Sequence, residues 1–337
     1  MINLSRPWTV HPPAQRGVAL ITALLIVALA TVAAVAMATA LQLELRRTGN
    51  VLYSEQAFAY SLGGEDWALG MLARDAKAGH RSDALSEAWA APLPPTDIDG
   101  GTISAQMEDL QGRFNLNDLM PAADSEAART RAAATLDYFK RLLRQQGLDE
   151  DIAAAVADWL DPDVDARVPG GAEDLEYLKR SPPYRAANAP FVSVSELRLV
   201  RGVTPEVYAK LAPLVTALPE FTAINVNTAP PGVLLALYPA LDDQKLHGLI
   251  QRRQTQPFTS VTEAQAYLGA AAQKADNGPQ NNQDNPAPLT ALQGVSSNYF
   301  LVQTSVHIGK IDNELFSVIH RDDSGHGQVI RRSLGTD

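Results

Sequence analysis

The densest chemistry in this 337-residue sequence is a run of carboxylates, Asp161-Pro162-Asp163-Val164-Asp165, followed closely by Gly170-Gly171-Ala172-Glu173-Asp174. Aspartates at alternating loop positions present hard oxygen ligands, and Ca2+ takes about six to eight of them. The run opens as an EF-hand loop does but departs from it. The sixth position is Ala166 where that loop needs glycine, and the twelfth is Ala172, with Glu173 one residue late. On the residues alone, a different calcium loop and a plain solvated acidic turn both fit.

Other chemistries find no support. The sequence contains no HExxH, GxSxG, Walker A or GxGxxG pattern. Its six histidines are scattered outside ligand spacing; His307 and His320 fall in strand patterns, where surface or structural roles suit them. No nucleophile sits beside an obvious base, so an enzyme is not expected. The absence of cysteine excludes a disulfide framework and Cys-ligated zinc. A net charge of −10 argues against general affinity for phosphate backbones.

One segment keeps a nucleic-acid reading in play. Ile224-Asn225-Val226-Asn227-Thr228-Ala229 leads into a short helix, a turn at Pro239-Ala240-Leu241 and a second helix through Arg252-Arg253, an order similar to helix-hairpin-helix modules. Those modules offer backbone N–H groups to phosphate from a glycine-rich hairpin. Here the hairpin lacks glycine and runs into Asp242-Asp243, which would repel phosphate. Structural reuse of the hairpin is favoured, and a membrane-anchored nucleic-acid-binding protein is the alternative. A further echo joins Pro190-Phe191-Val192-Ser193-Val194-Ser195-Glu196 to Pro257-Phe258-Thr259-Ser260-Val261-Thr262-Glu263, where Ser193 and Ser260 each stand as a helix cap.

The elements that must position these residues begin with the N-terminus. Val18 to Leu41 is 24 positions without a charge. As a helix it reaches about 36 Å, enough to cross a bilayer. Ala38-Thr39-Ala40 fits a secretory cleavage site, but the apolar run before it exceeds the roughly 7–15 residues of a signal core. At the other end, Gln15-Arg16-Gly17 precedes Val18, and a basic leader ending in Gly before an apolar helix resembles the type IV prepilin leader. That scheme, with cleavage between Gly17 and Val18 and the helix retained, is favoured. The fifth residue after the cut is Thr22, where most pilin-like subunits carry Glu.

Intermittent apolar positions from Leu43 to Leu72 extend the helix beyond the membrane. Residues 91–101, with Pro92, Pro94 and Pro95, read as a break. Strands are expected at Thr102–Leu110 and Arg113–Leu116, helices at Glu126–Gln146 and Asp149–Leu160, and a polar mobile loop over 273–288. Further strands follow at Tyr299–Ile308, Glu314–His320 and Gln328–Ser333. A helical block interrupting a strand set implies an inserted domain.

In their order, several stretches resemble the K-type minor pseudopilin of the type II secretion system. They are Arg16-Gly17-Val18, Gly112-Arg113-Phe114-Asn115-Leu116-Asn117, Asp158-Trp159-Leu160-Asp161-Pro162-Asp163, Gly171-Ala172-Glu173-Asp174, Pro182-Pro183-Tyr184-Arg185, Ser193-Val194-Ser195-Glu196-Leu197-Arg198, Asn225-Val226-Asn227-Thr228-Ala229 and Ser297-Asn298-Tyr299-Phe300. The resemblance implies an α+β pilin-like fold, a long N-terminal helix packed on an antiparallel sheet, with a large all-α insertion. The expected division is leader 1–17, membrane and stalk helix 18–90, sheet 101–123 and 293–337, and insertion 124–292. It also implies cleavage by prepilin peptidase, N-methylation of Val18, one pass through the bacterial inner membrane, and a periplasmic C-terminal domain at the pseudopilus tip. There it would cap or initiate the fibre that exports folded proteins. Implied partners are the I- and J-type minor pseudopilins, the major pseudopilin and the inner-membrane assembly platform, with no nucleic acid. Calcium binding in the inserted domain would fall to Asp161, Asp163, Asp165, Glu173 and Asp174.

Overall fold

The computed structural model describes residues 16–79, 82–120, 125–269, 271–272 and 292–335. The leader up to residue 15 and the polar loop expected over 273–288 lie outside them. The chain divides into two units, residues 1–56 and 57–337.

Helix α1 runs from Arg16 to Ala78, shorter than the expected reach to residue 90. In the first unit its apolar side chains from Val18 to Leu41 are all exposed, as lipid-facing groups must be. The Thr22 hydroxyl donates to the carbonyls of Val18 and Ala19, so this polar group is satisfied by its own helix.

In the second unit the end of α1 lies on a five-stranded antiparallel sheet. The strands are β1 (Leu93–Ile98), β2 (Gly101–Asp109), β7 (Tyr299–Ile308), β8 (Ile311–Arg321) and β9 (Gly327–Leu334), in the order β1-β2-β7-β8-β9; the two-residue strands β3 (Phe114–Asn115), β4 (Val215–Thr216), β5 (Ile224–Asn225) and β6 (Gln293–Gly294) lie outside this sheet. Alternation along β7 sends Phe300, Val302 and Val306 toward Ala57, Ala68 and Leu72 of the helix. Tyr299 and Leu301 pack on the opposite face with Leu218. Helix and sheet approach closely at Gly64, where a Cβ would strike the Thr304 side chain. Glu65, almost wholly buried, takes two hydrogen bonds from Arg332 at 2.8 Å and one from Ser317.

β1 corrects the sequence reading, which took residues 91–101 as a break. Proline cannot donate to a ladder, so it is confined to sheet edges and irregular positions. Here Pro94 and Pro95 fall at the register shift of an edge strand. The expected strand over Arg113–Leu116 also differs: only Phe114–Asn115 (β3) is extended, and it pairs with a strand outside the main sheet.

β2 pairs β7 directly, with Asp109 opposite Phe300, so the chain leaves and re-enters the sheet at neighbouring positions. Everything between is a mostly helical body with its own core. It contains α2 (Glu126–Gln145), α3 (Asp151–Leu160), α4 (Asp174–Tyr177), a 3-10 turn at Val194–Leu199, α5 (Pro205–Leu211), α6 (Pro231–Leu237), α7 (Asp243–Thr255) and α8 (Val261–Leu268). That core also takes Phe114, Leu116 and Leu119, so residues after Asp109 that were expected in the sheet belong to the helical body.

The body is built twice. β3 pairs in parallel with β4 (Val215–Thr216), and β5 (Ile224–Asn225) pairs in parallel with β6 (Gln293–Gly294). In the first copy Asn117 Nδ2 donates to the Phe191 carbonyl and its Oδ1 accepts from Phe191 N. In the second, Asn227 makes the same pair of bonds to Phe258. Ser193 and Ser260 then cap the following helical turns, with Glu196 and Glu263 reaching back to the backbone N–H groups of Ser193 and Thr259.

Candidate metal centre

The two copies differ in the connection before the Phe. In the second copy Gln256 alone separates α7 from Pro257-Phe258; in the first, residues 161–189 separate α3 from Pro190-Phe191. That extra length contains the acidic loop.

Its foundation is Asp158, a carboxylate in the last turn of α3 with no exposed surface. Asp158 Oδ2 accepts from the backbone N of Arg167 at 3.1 Å and of Ala172 at 2.8 Å, while Oδ1 accepts from Arg167 Nη1 at 2.5 Å. A side chain at Gly171 would collide with Asp158 and with the Arg167 backbone, so the turn closes only over a bare Cα. Below it, Trp159 packs edge-on against Tyr177, and Tyr177 stacks on Tyr184.

Closing the loop brings Asp161, Asp163 and Glu173 together, each offering a carboxylate oxygen within 4.8 Å of the others. Asp161 and Glu173 are 5% and 6% exposed, and Asp161 Oδ1 and both Glu173 oxygens are buried without a hydrogen-bond partner. Burial, reinforced by repulsion from Asp158, Asp161, Asp163 and Asp174, pushes the Glu173 carboxyl up to about 7. Burial also raises Asp161, against the pull of Arg167. Unpartnered buried carboxylates are costly, and a hard divalent cation is the group that repays them. The donor set therefore fits calcium.

Two of the five expected ligands lie outside this cluster. Asp174 is spent on the N–H of Ala186 and on Arg185. Asp165 is exposed, and its backbone N–H donates to Asp163 Oδ1. Conversely, Asn188 escapes a search for acids. It holds φ +45°, donates from Nδ2 to the Asp163 carbonyl at 2.9 Å, and leaves Oδ1 buried without a partner. A left-handed non-glycine residue is legible only in the backbone. A second acid group, Asp75, Asp83 and Glu87, is partnered internally: Arg321 holds Asp75 and Asp83, and Trp89 donates to Glu87.

The hairpin-like segment is built for packing. Asp242 caps α7, accepting from Lys245 N, so a carboxylate occupies the end that would receive phosphate. Arg253 is buried and donates to the carbonyls of Val226 and Ala229. Arg252 pairs with Glu263 and lies over Phe258 and Tyr267.

Fold and comparisons agree on a class. A long N-terminal helix laid on an antiparallel sheet is the pilin-like arrangement, here carrying a helical insertion. Family models described as type II secretion system protein K match residues 112–220 and 224–283. The type II secretion system protein K of Pseudomonas aeruginosa is 36% identical, over 95% of this chain and 93% of that protein. The Klebsiella pneumoniae protein of the same name is 34% identical, over 94% and 96%. A solved chain from the GspK-GspI-GspJ complex of enterotoxigenic Escherichia coli superposes with a TM-score of 0.70 at 27% identity, covering 86% of this chain and all of that one. The chain belongs to the type II secretion system protein K family and is a minor pseudopilin, with an apolar N-terminal helix suited to a single-pass membrane anchor.

Proposed function

We propose that this subunit caps and initiates the pseudopilus tip and performs no catalysis. The supporting observation is the insertion point: a two-copy helical body grows from between adjacent strands β2 and β7, adding bulk that a plain pilin-like head lacks. Prepilin peptidase cuts between Gly17 and Val18, Val18 is N-methylated, and the apolar helix is kept in the inner membrane with residues 57–337 in the periplasm. I- and J-type minor pseudopilins are its immediate partners, as in the solved complex, with the major pseudopilin below and the assembly platform at the membrane. Thr22 brings no carboxylate to pair with a neighbour's N-terminal amine, which suits a terminal position. Removing residues 124–292 is expected to abolish capping; unchanged fibre length and secretion would refute it. N-terminal sequencing of the mature protein is expected to begin at Val18, and a start at Leu41 would refute retention of the helix.

Asp161, Asp163 and Glu173, with the Asn188 side-chain oxygen, would hold calcium. When bound, the ion supplies a positive charge that fixes the loop. These residues position and neutralise it; they carry out no reaction. A ligand that binds only the folded state raises its stability, so chelator is expected to lower Tm and calcium to restore it. Identical melting curves would refute a structural ion.

A further inference from the structure

Arg167 stands in an unusual relation to the acidic cluster, because one atom of it serves two carboxylates with different duties. Its Nη1 donates to Asp158 Oδ1 at 2.5 Å and to Asp161 Oδ2 in a short contact. Its backbone N–H also donates to Asp158, and its carbonyl accepts from Gly171 N at 2.8 Å. Asp158 is fully occupied: both oxygens are engaged by the protein and none of its surface is exposed. Asp161 is divided, with Oδ2 on the guanidinium and Oδ1 buried and free. Glu173 has both oxygens free.

The charges set the consequence. Four carboxylates, Asp158, Asp161, Asp163 and Glu173, converge on this turn, and the ion pairs among them give one cation, Arg167. The Arg167 side chain is 40% exposed while Asp158 and Asp161 are buried, so removing the guanidinium leaves two carboxylates uncompensated inside the protein, which costs more than losing a pair exposed on both sides. With no ion bound, Arg167 therefore offsets the repulsion among the carboxylates that the closed loop brings together. With an ion bound, the same guanidinium is a like charge beside a divalent cation and shares Asp161 with it, so it opposes binding.

We propose that Arg167 is a built-in counter-cation that keeps the acidic loop folded when no divalent ion is bound and weakens the ion's affinity when one is. This rests on the reading of Asp161, Asp163 and Glu173 as a cation site. It makes the loop conditionally rather than absolutely dependent on calcium, unlike an acidic turn without an internal cation.

The test compares full-length wild type, R167M and R167K in detergent, melted in EGTA and in saturating CaCl2, with calcium titrated calorimetrically. R167M is expected to melt roughly 5–10 °C below wild type in EGTA and to recover to within a few degrees in calcium. Its calcium-induced rise in Tm thus exceeds that of wild type, and it binds calcium on the order of tenfold more tightly. R167K, which keeps the charge without the planar fork, is expected to fall between them. A rise in R167M equal to or smaller than that of wild type overturns the role of Arg167 while leaving the calcium site standing. No calcium response in any of the three proteins overturns the site itself and this inference with it. Should R167M fail to fold even with calcium, R167K decides: a calcium-induced rise no greater than in wild type overturns the proposal.

Discussion

The two copies of the helical body share one clamp and differ in what hangs from it. In each, an Asn-x-Asn pair follows or closes a two-residue strand, and the second Asn grips both backbone polar groups of a distant Phe. The first copy then spends residues 161–189 on an acidic loop where the second has Gln256. The residue after the pair differs too. Asp118 is a nearly buried carboxylate accepting from Asn115 and Thr222, whereas Thr228 donates its hydroxyl to Asp109. A duplicated scaffold keeps the bonds that close its core and is free to vary the length of the connection between them, here one that adds Ala172 and Tyr177 to the core.

The clamp is the place to break both copies. Asn227→Ala should cost about 3 kcal/mol or more, because it strips partners from two backbone groups inside a fully buried site. Asn117→Ala, at a half-buried position, should cost about 2 kcal/mol. Denaturant melts of both variants check the order: negligible losses would show that the clamps do not hold the copies closed, and equal losses that burial does not set their order.

Gly171→Ala touches only the first copy's loop. The new Cβ meets Asp158 and the Arg167 backbone, and relief should cost about 2 kcal/mol. It should also remove the calcium response. Hydrogen exchange is expected to rise around residues 161–173 and to stay unchanged around Asn227; exchange that rises equally at both places would contradict an effect confined to the loop.

Asp118 separates the copies by pH. Burial pushes its carboxyl up to about 8, outweighing the hydrogen bonds from Thr222 and Asn115. Its ordinary value is 3.8, so between these limits the folded chain keeps a proton that the unfolded chain has lost. Stability contributed here is full below about pH 4 and declines as pH rises toward 8. Asp118→Asn is expected to flatten that decline relative to wild type between pH 5 and pH 8. A difference between wild type and variant that does not change over this range would rule the carboxyl out as its source.

The smallest effect belongs to the second copy's surface. Arg252→Met removes a partly exposed ion pair with Glu263 and the cation over Phe258 and Tyr267, but keeps an apolar stem. It should cost about 1 kcal/mol or less. A gel shift with DNA at low salt should show no binding by wild type, so none to lose in the variant.

Much of this was legible in the residues. The uncharged run from Val18 to Leu41 reads as a membrane helix because lipid admits little else. β2 shows period-two alternation, β7, β8 and β9 read as strand patterns, and α2 shows its apolar positions at helical spacing. Ser193 and Ser260 announce caps through the Glu three residues on. The edge strand β1 was not legible, since Pro94 and Pro95 argue for a break until a neighbour shows that their missing N–H groups face no partner. β3 was assigned to the wrong sheet for a related reason: a two-residue strand declares no partner by itself.

Composition and local pattern determined the anchor, the strands β2, β7, β8 and β9, and the presence of an acidic loop, because these depend on each residue's own preference for lipid, pleat or water. Which acids converge was decided only by the tertiary structure. Asp161, Asp163 and Glu173 meet, Asp174 turns to Arg185, Asp158 vanishes beneath the turn, and Asn188 and Arg167 enter from positions with no acidic signature. Ligand geometry is a property of chain closure over distances that spacing does not encode, and here the closure is made by a buried carboxylate and a bare glycine.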